Sequence, residues 1–151
     1  MDKAKSIELL NHAVADELPA VHQYMYFHFH LDDQGLGPLS VLFKRVAIQE
    51  MGHVERLAER ILFLKGDVNM KTAGEVERIA EPEQMLAKAV QMEEESARSY
   101  NEAALQCGAN ADSVSAIWRS NRSTGRRKAG SPAPTEIQRR QMLFGAGLAN
   151  C

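Results

Sequence analysis

Glu50-Met51-Gly52-His53 places a carboxylate and an imidazole three residues apart inside a long helix-forming stretch. At ~3.6 residues per turn the two side chains share one helix face, and the flanking pattern makes that face the apolar one. An acid aimed into the core of a helix bundle is unfavourable by several kcal/mol unless something offsets its charge. A bound metal ion is the usual compensation where carboxylates and histidines project inward from facing helices.

Two further acids interrupt apolar stripes in the same way. A first helix is expected over about residues 5–34, with a stripe of Ile7, Leu10, Val14, Glu17, Val21, Tyr24, His28 and Leu31 at alternating spacings of three and four. Glu17 is the misfit. Pro19 lies inside this run and should bend it or leave a carbonyl unpaired, and Gly35-Leu36-Gly37-Pro38 should end it and start the next helix. The second helix is expected over about 38–65, with Gly66 as its C-terminal cap. Its stripe of Leu39, Leu42, Val46, Glu50, His53, Leu57, Ile61 and Leu64 breaks only at Glu50 and His53. Residues 67–81 read as a crossover connection. A third helix is expected over about 82–107, with Met85 or Leu86, Ala89 and Glu93 inward and Glu94 and Glu95 turning toward water. A single acid on an apolar face is ordinarily a boundary residue whose head reaches solvent. Acids on three helices at matching depth instead fit a carboxylate-bridged pair of iron or manganese ions, with His53 as the nitrogen donor.

The remaining composition narrows the class. Aromatic residues are 6% of the 151 and no strand-like alternation appears, so the fold class is all-α. The start, Met1-Asp2-Lys3-Ala4-Lys5, leads into a charged amphipathic stretch, so neither a signal peptide nor a membrane span is expected. Cys107 and Cys151 are too few for a disulfide framework, which points to the cytoplasm. Of the other histidines, His22, His28 and His30 could suggest a metal cluster but lie on different faces; His28 reads as a satisfied core histidine, and His12 and His30 as surface groups.

Glu17-Leu18 with Gln23-Tyr24, then Glu50-Met51-Gly52-His53, then Arg60-Ile61-Leu62-Phe63-Leu64-Lys65-Gly66 resemble the bacterioferritin branch of the ferritin-like family over residues 1–115. The resemblance implies a four-helix bundle with a long crossover after helix two. It further implies Fe(II) oxidation by O2 or H2O2 at a di-iron centre within the subunit, and a homo-oligomeric shell that stores the ferric product. By position, Glu17 resembles a terminal iron ligand, Glu50 a bridging carboxylate, His53 the nitrogen ligand and Glu93 a carboxylate of the second iron. Tyr24 corresponds to a tyrosine near the centre, or is simply a core aromatic. Met51 turns roughly 100° away from the inward stripe; the resemblance makes it a ligand of haem b shared across a two-fold axis, against an interface methionine in a haem-free relative. The alternatives to a 24-subunit iron store are a 12-subunit mini-ferritin that protects against peroxide, and a non-catalytic structural or binding subunit. A rubrerythrin-like peroxidase lacks its Cys-x-x-Cys pair here.

The pattern breaks near Ser115. Residues 1–115 carry 11 Lys/Arg against 19 Asp/Glu, a balance of −8, whereas 116–151 carry 7 against Glu136 alone, a balance of +6. Asn110 to Ser113 read as a turn and cap for a fourth helix from about Val114, yet the chain beyond Ser115 is rich in Arg, Ser, Gly and Pro and has no lasting period. The family's second Glu-x-x-His is missing, so the centre is incomplete and its ferroxidase activity is in doubt. The basic tail has no ordered cationic face, which disfavours nucleic acid as a partner. The last helix has either been replaced or been read in another frame. Permitted codons for residues 117–123 can be rewritten, one frame away, as the acidic helical run Leu-Glu-Val-Glu-Gln-Val. Sequencing codons 110–125 tests the frame change: an uninterrupted frame matched by the intact mass of the natural protein would sink it.

Overall fold

Asp2 starts the first helix. Its carboxylate accepts from the amides of Ala4 at 3.0 Å and Lys5 at 3.2 Å, satisfying donors that the first turn leaves unpaired. In the computed structural model, which describes the backbone of residues 2–109 and side chains through Ser96 with Arg98, Ser99 and Leu105, three helices succeed one another: α1 (Lys3–Asp33), α2 (Gly37–Phe63) and α3 (Pro82–Ala109). Among the described residues there is no strand, and no helix is long and apolar enough to cross a membrane. The expected fourth helix, Trp118, the whole 116–151 segment and the Cys107 side chain lie outside the described residues.

The stops between elements are set by backbone geometry. Gly35, at φ +75°, takes the left-handed position after α1; its amide bonds to Asp32 O at 3.0 Å and that of Leu36 to Leu31 O at 2.8 Å. This is the double-bonded helix stop favoured by glycine. The same motif ends α2, with one correction to the expectation for Gly66. The left-handed residue is Lys65, at φ +65°, and Gly66 comes one position later, its amide bonding to Ile61 O at 3.0 Å. Glycine is required there for room, because a Cβ would lie 2.7 Å from the Ile7 side chain.

Pro19 neither breaks α1 nor strands a carbonyl. Lacking an N–H, it cannot bond to Ala15 O four residues back, and that oxygen accepts from Ala73 N of the crossover at 3.0 Å. Two side-chain amides of α1, and that of Gln34 which caps it, fasten the same connection. Asn11 exchanges bonds with Asp67 O (3.0 Å) and Asn69 N (2.7 Å), Gln23 with Glu77 O (3.0 Å) and Glu77 N (2.8 Å), and Gln34 donates to Ala80 O at 2.9 Å. The long connection therefore runs along α1, and Lys88 of α3 pairs with Glu77 from the other side.

α1 and α2 pack in antiparallel fashion and bury two apolar clusters. One gathers Tyr24, Phe27, Leu31, Leu39, Phe43 and Val46 with Met85, Leu86 and Ala89 of α3; Phe43 packs against both Tyr24 (ring centroids 5.9 Å) and Phe27 (5.3 Å). The other gathers Leu10, Val14, Leu18, Val54, Leu57 and Ile61 toward the opposite end. Met85 and Leu86 are both buried, so the two alternatives for the first α3 position are met together. His28 satisfies the expectation of a partnered histidine: its Nδ1 lies 2.8 Å from the Ser40 hydroxyl.

Gln23 is buried and bonds the crossover twice, so Gln23→Ala should leave both Glu77 backbone groups unsatisfied and cost about 2–3 kcal/mol. A lower urea midpoint at unchanged slope is the expected result.

Candidate metal centre

The level between the two apolar clusters is polar. Glu17 comes down from α1, nearly two turns before Gln23-Tyr24, and Glu50 and His53 come up from α2. The glutamate side chains are 3% and 6% exposed and His53 is 20% exposed. His53 Nδ1 lies 2.8 Å from Glu50 Oε2 and 3.7 Å from Glu17 Oε2. One ligand atom from each of the three lies within 4.8 Å of the others.

These separations suit an ion. A divalent cation about 2.1 Å from each donor sets neighbouring donors roughly 3.0–3.4 Å apart, and the two measured distances bracket that spacing. Two carboxylates and one imidazole are also the donor set that mid-sized divalent metals accept. In the tautomer that carries its proton on Nδ1, His53 donates to Glu50, and an ion bound at Nδ1 would take that proton's place. The triad is built wholly by α1 and α2, whose antiparallel contact brings residues 17 and 53 to one level.

Glu93 is placed differently from the expected set. It is half-buried on α3, outside the group of three, and its Oε1 accepts from the Tyr24 hydroxyl at 3.1 Å. Tyr24 is a buried core aromatic whose hydroxyl reaches Glu93. Glu94 and Glu95 are exposed, as their phase requires. Met51 stands 54% exposed on the outer side of α2. Beside Glu17 lies a cavity of about 290 Å³, bounded by Pro19 and Gly74 on one side and Ser96 of α3 on the other, with exposed Asp16 and Glu95 along it. This cavity depends on where the crossover lies, which no helical period records. The signal available was Pro19, whose ring forces Ala15 to find a partner outside its own helix.

The ferritin-like domain family matches residues 7–118, a span that includes Glu17, Glu50, His53 and Glu93. The bacterioferritin of Rhodobacter capsulatus is 38% identical over 114 residues, 74% of this chain and 70% of that protein. The chain belongs to the bacterioferritin family of ferritin-like proteins. The bacterioferritin of Desulfovibrio desulfuricans is 50% identical over 74 residues, which make up 49% of this chain but only 41% of that relative's length. Solved structures agree in fold. That of the D. desulfuricans bacterioferritin, recorded with its diiron site in different catalytic states, aligns at a TM-score of 0.80 and 31% identity, covering 98% of this chain and 82% of its own. That of the R. capsulatus bacterioferritin, with a metal-free dinuclear site and a haem iron, aligns at 0.76 and 26%, covering 97% and 84%. An all-α bundle of ferritin type is thus the architecture of this bacterioferritin-family chain.

A ligand that binds only the folded state at 100 times its Kd adds about 2.7 kcal/mol of stability. Saturating Co(II) or Zn(II) should raise the melting temperature of the chain accordingly, and Glu50→Gln or His53→Ala should abolish the rise. Equal shifts in all three proteins would remove the triad as the binding site.

Proposed function

We propose that this chain is an iron-storage subunit of bacterioferritin type, which takes Fe(II) as its substrate at Glu17, Glu50 and His53. The observation that carries the reading is the convergence of those three ligand atoms, within 4.8 Å, inside a buried layer of a bacterioferritin-family chain. Glu50 supplies a carboxylate from α2, Glu17 closes the site from α1, and His53 gives the neutral nitrogen. Tyr24 holds Glu93 on the α3 side. Asp16 and Glu95 along the neighbouring cavity favour cations over anions on the way to Glu17.

Oxidation of two Fe(II) by one O2 with two protons yields two Fe(III) and one H2O2, and it requires two ions held side by side. Glu93 is the only further carboxylate of the expected set available for that second position. The oxidation step therefore depends on ligands that the fourth helix supplies in a full bundle.

Two further features fit a homo-oligomer. Val41, Ile48, Met51 and Leu62 are exposed apolar residues within roughly 80° of one another around α2, and such a stripe marks a surface that another chain covers. Met51 within it offers a thioether that, together with its counterpart in a second copy, would hold a haem b across a two-fold contact.

Anaerobic Fe(II) loading followed by air and gel filtration tests the proposal. The intact chain should retain iron with the protein peak, and Glu50→Ala should lower the retained iron by on the order of tenfold. In the same preparation Met51→Leu should remove any Soret band. Equal iron retention by the intact chain and Glu50→Ala would take Glu50 out of the mechanism.

A further inference from the structure

The number of ions this site can hold is set by charge and donor count. A paired-metal centre in a helical bundle is built from one Glu on each of two helices and a Glu-x-x-His on each of the other two. Four carboxylates then balance two dications, and each ion has a nitrogen ligand. This chain carries one Glu-x-x-His, Glu50 with His53. Its remaining histidines, His12, His22, His28 and His30, all lie on α1, and none has an acid three residues before it. His28 is engaged with Ser40, and His12, His22 and His30 are exposed. Beyond Asp112 the sequence offers one carboxylate side chain, Glu136, and no histidine.

Electrostatics then select the occupancy. Glu17 and Glu50 bring two negative charges and His53 a neutral nitrogen, so one dication makes the triad neutral as a whole. Because the two glutamate side chains are only 3% and 6% exposed, water does little to screen an imbalance there. A second dication in the same layer would have a share of Glu50 and the half-buried Glu93, which already accepts from Tyr24. It would have no nitrogen ligand among the described residues, and the site would carry net positive charge. The three donors of the triad, in contrast, come from α1 and α2 alone, and those helices are packed together on both sides of the site.

We infer that this chain binds a single divalent cation, held by Glu17, Glu50 and His53, as a one-ion site. The inference rests on the proposed role of the triad as a metal site. The imidazole selects mid-sized divalent metals such as Fe(II), Mn(II), Co(II) and Zn(II) over Ca(II) and Mg(II), which favour all-oxygen sites. Pairwise electron delivery to dioxygen needs two ions in contact, so in this chain the retention of iron is separated from its oxidation.

Titration of the full chain with Co(II), monitored by calorimetry and by the visible absorption of the bound ion, tests the count. The Glu50→Gln/His53→Ala double variant is the blank for surface binding, and Glu17→Gln, a shape-preserving change on the other helix, is a second blank that leaves α2 untouched. The expected result is one more Co(II) bound per chain than in either blank. After desalting, Mn(II) should give the six-line resonance of an isolated ion. Two additional ions per chain, or the multiline spectrum of a coupled manganese pair, overturns the one-ion inference and leaves the triad as a metal site. No difference between the chain and its blanks overturns both.

Discussion

Two carboxylates and an imidazole enclosed between apolar clusters are the constraint around which this molecule is organised. Burying like charges a few ångströms apart is among the least favourable things a core can do, and no packing around it repays that. Glu17 and Glu50 are nevertheless among the least exposed residues of the chain. On the proposed reading, a cation bound between them would turn the arrangement from a liability into a neutral centre.

The rest of the fold holds that level still. Above and below it, the clusters around Phe43 and Leu57 clamp the two helices, so the polar layer cannot open without exposing apolar surface at both ends. The crossover, which has no secondary structure of its own, is fixed to α1 by amide side chains at Asn11, Gln23 and Gln34. Its attachment at Ala15 depends on Pro19 having no N–H. Proline thus converts a helix defect into a docking point two residues from Glu17, and the cavity beside that glutamate exists because the crossover passes there.

Membership of the bacterioferritin family explains the inward acids, and the departure from the family's ligand pattern explains why their number matters. In a complete bundle each half of the centre supplies two carboxylates and a histidine. Here the α1–α2 half is intact in geometry, while the α3 side contributes Glu93 through a tyrosine. On the one-ion inference charge compensation is local, and this half would hold one ion without the other.

Much of this was legible in the amino-acid order. Helix existence, the stop and restart at Gly35-Leu36-Gly37-Pro38, the long crossover and the inward phase of Glu17, Glu50 and His53 all follow from periodicity and turn chemistry, which are local. The helix starts and stops were less legible. Asp2 caps α1 earlier than the apolar stripe begins, and Lys65 rather than Gly66 takes the left-handed position, with Gly66 one place later against the Ile7 side chain. Periodicity also gave Glu93 the same inward rank as the triad, whereas the fold hands it to the Tyr24 hydroxyl.

Local order therefore determined which residue types point inward and where the chain turns, since both depend on neighbours a few positions away. Tertiary structure alone decided which of those inward groups meet, that Ala15 O is claimed by Ala73, and that a cavity reaches Glu17. Those outcomes depend on how helices and the crossover lie across one another, and contacts between residues dozens of positions apart leave no periodic trace in the chain.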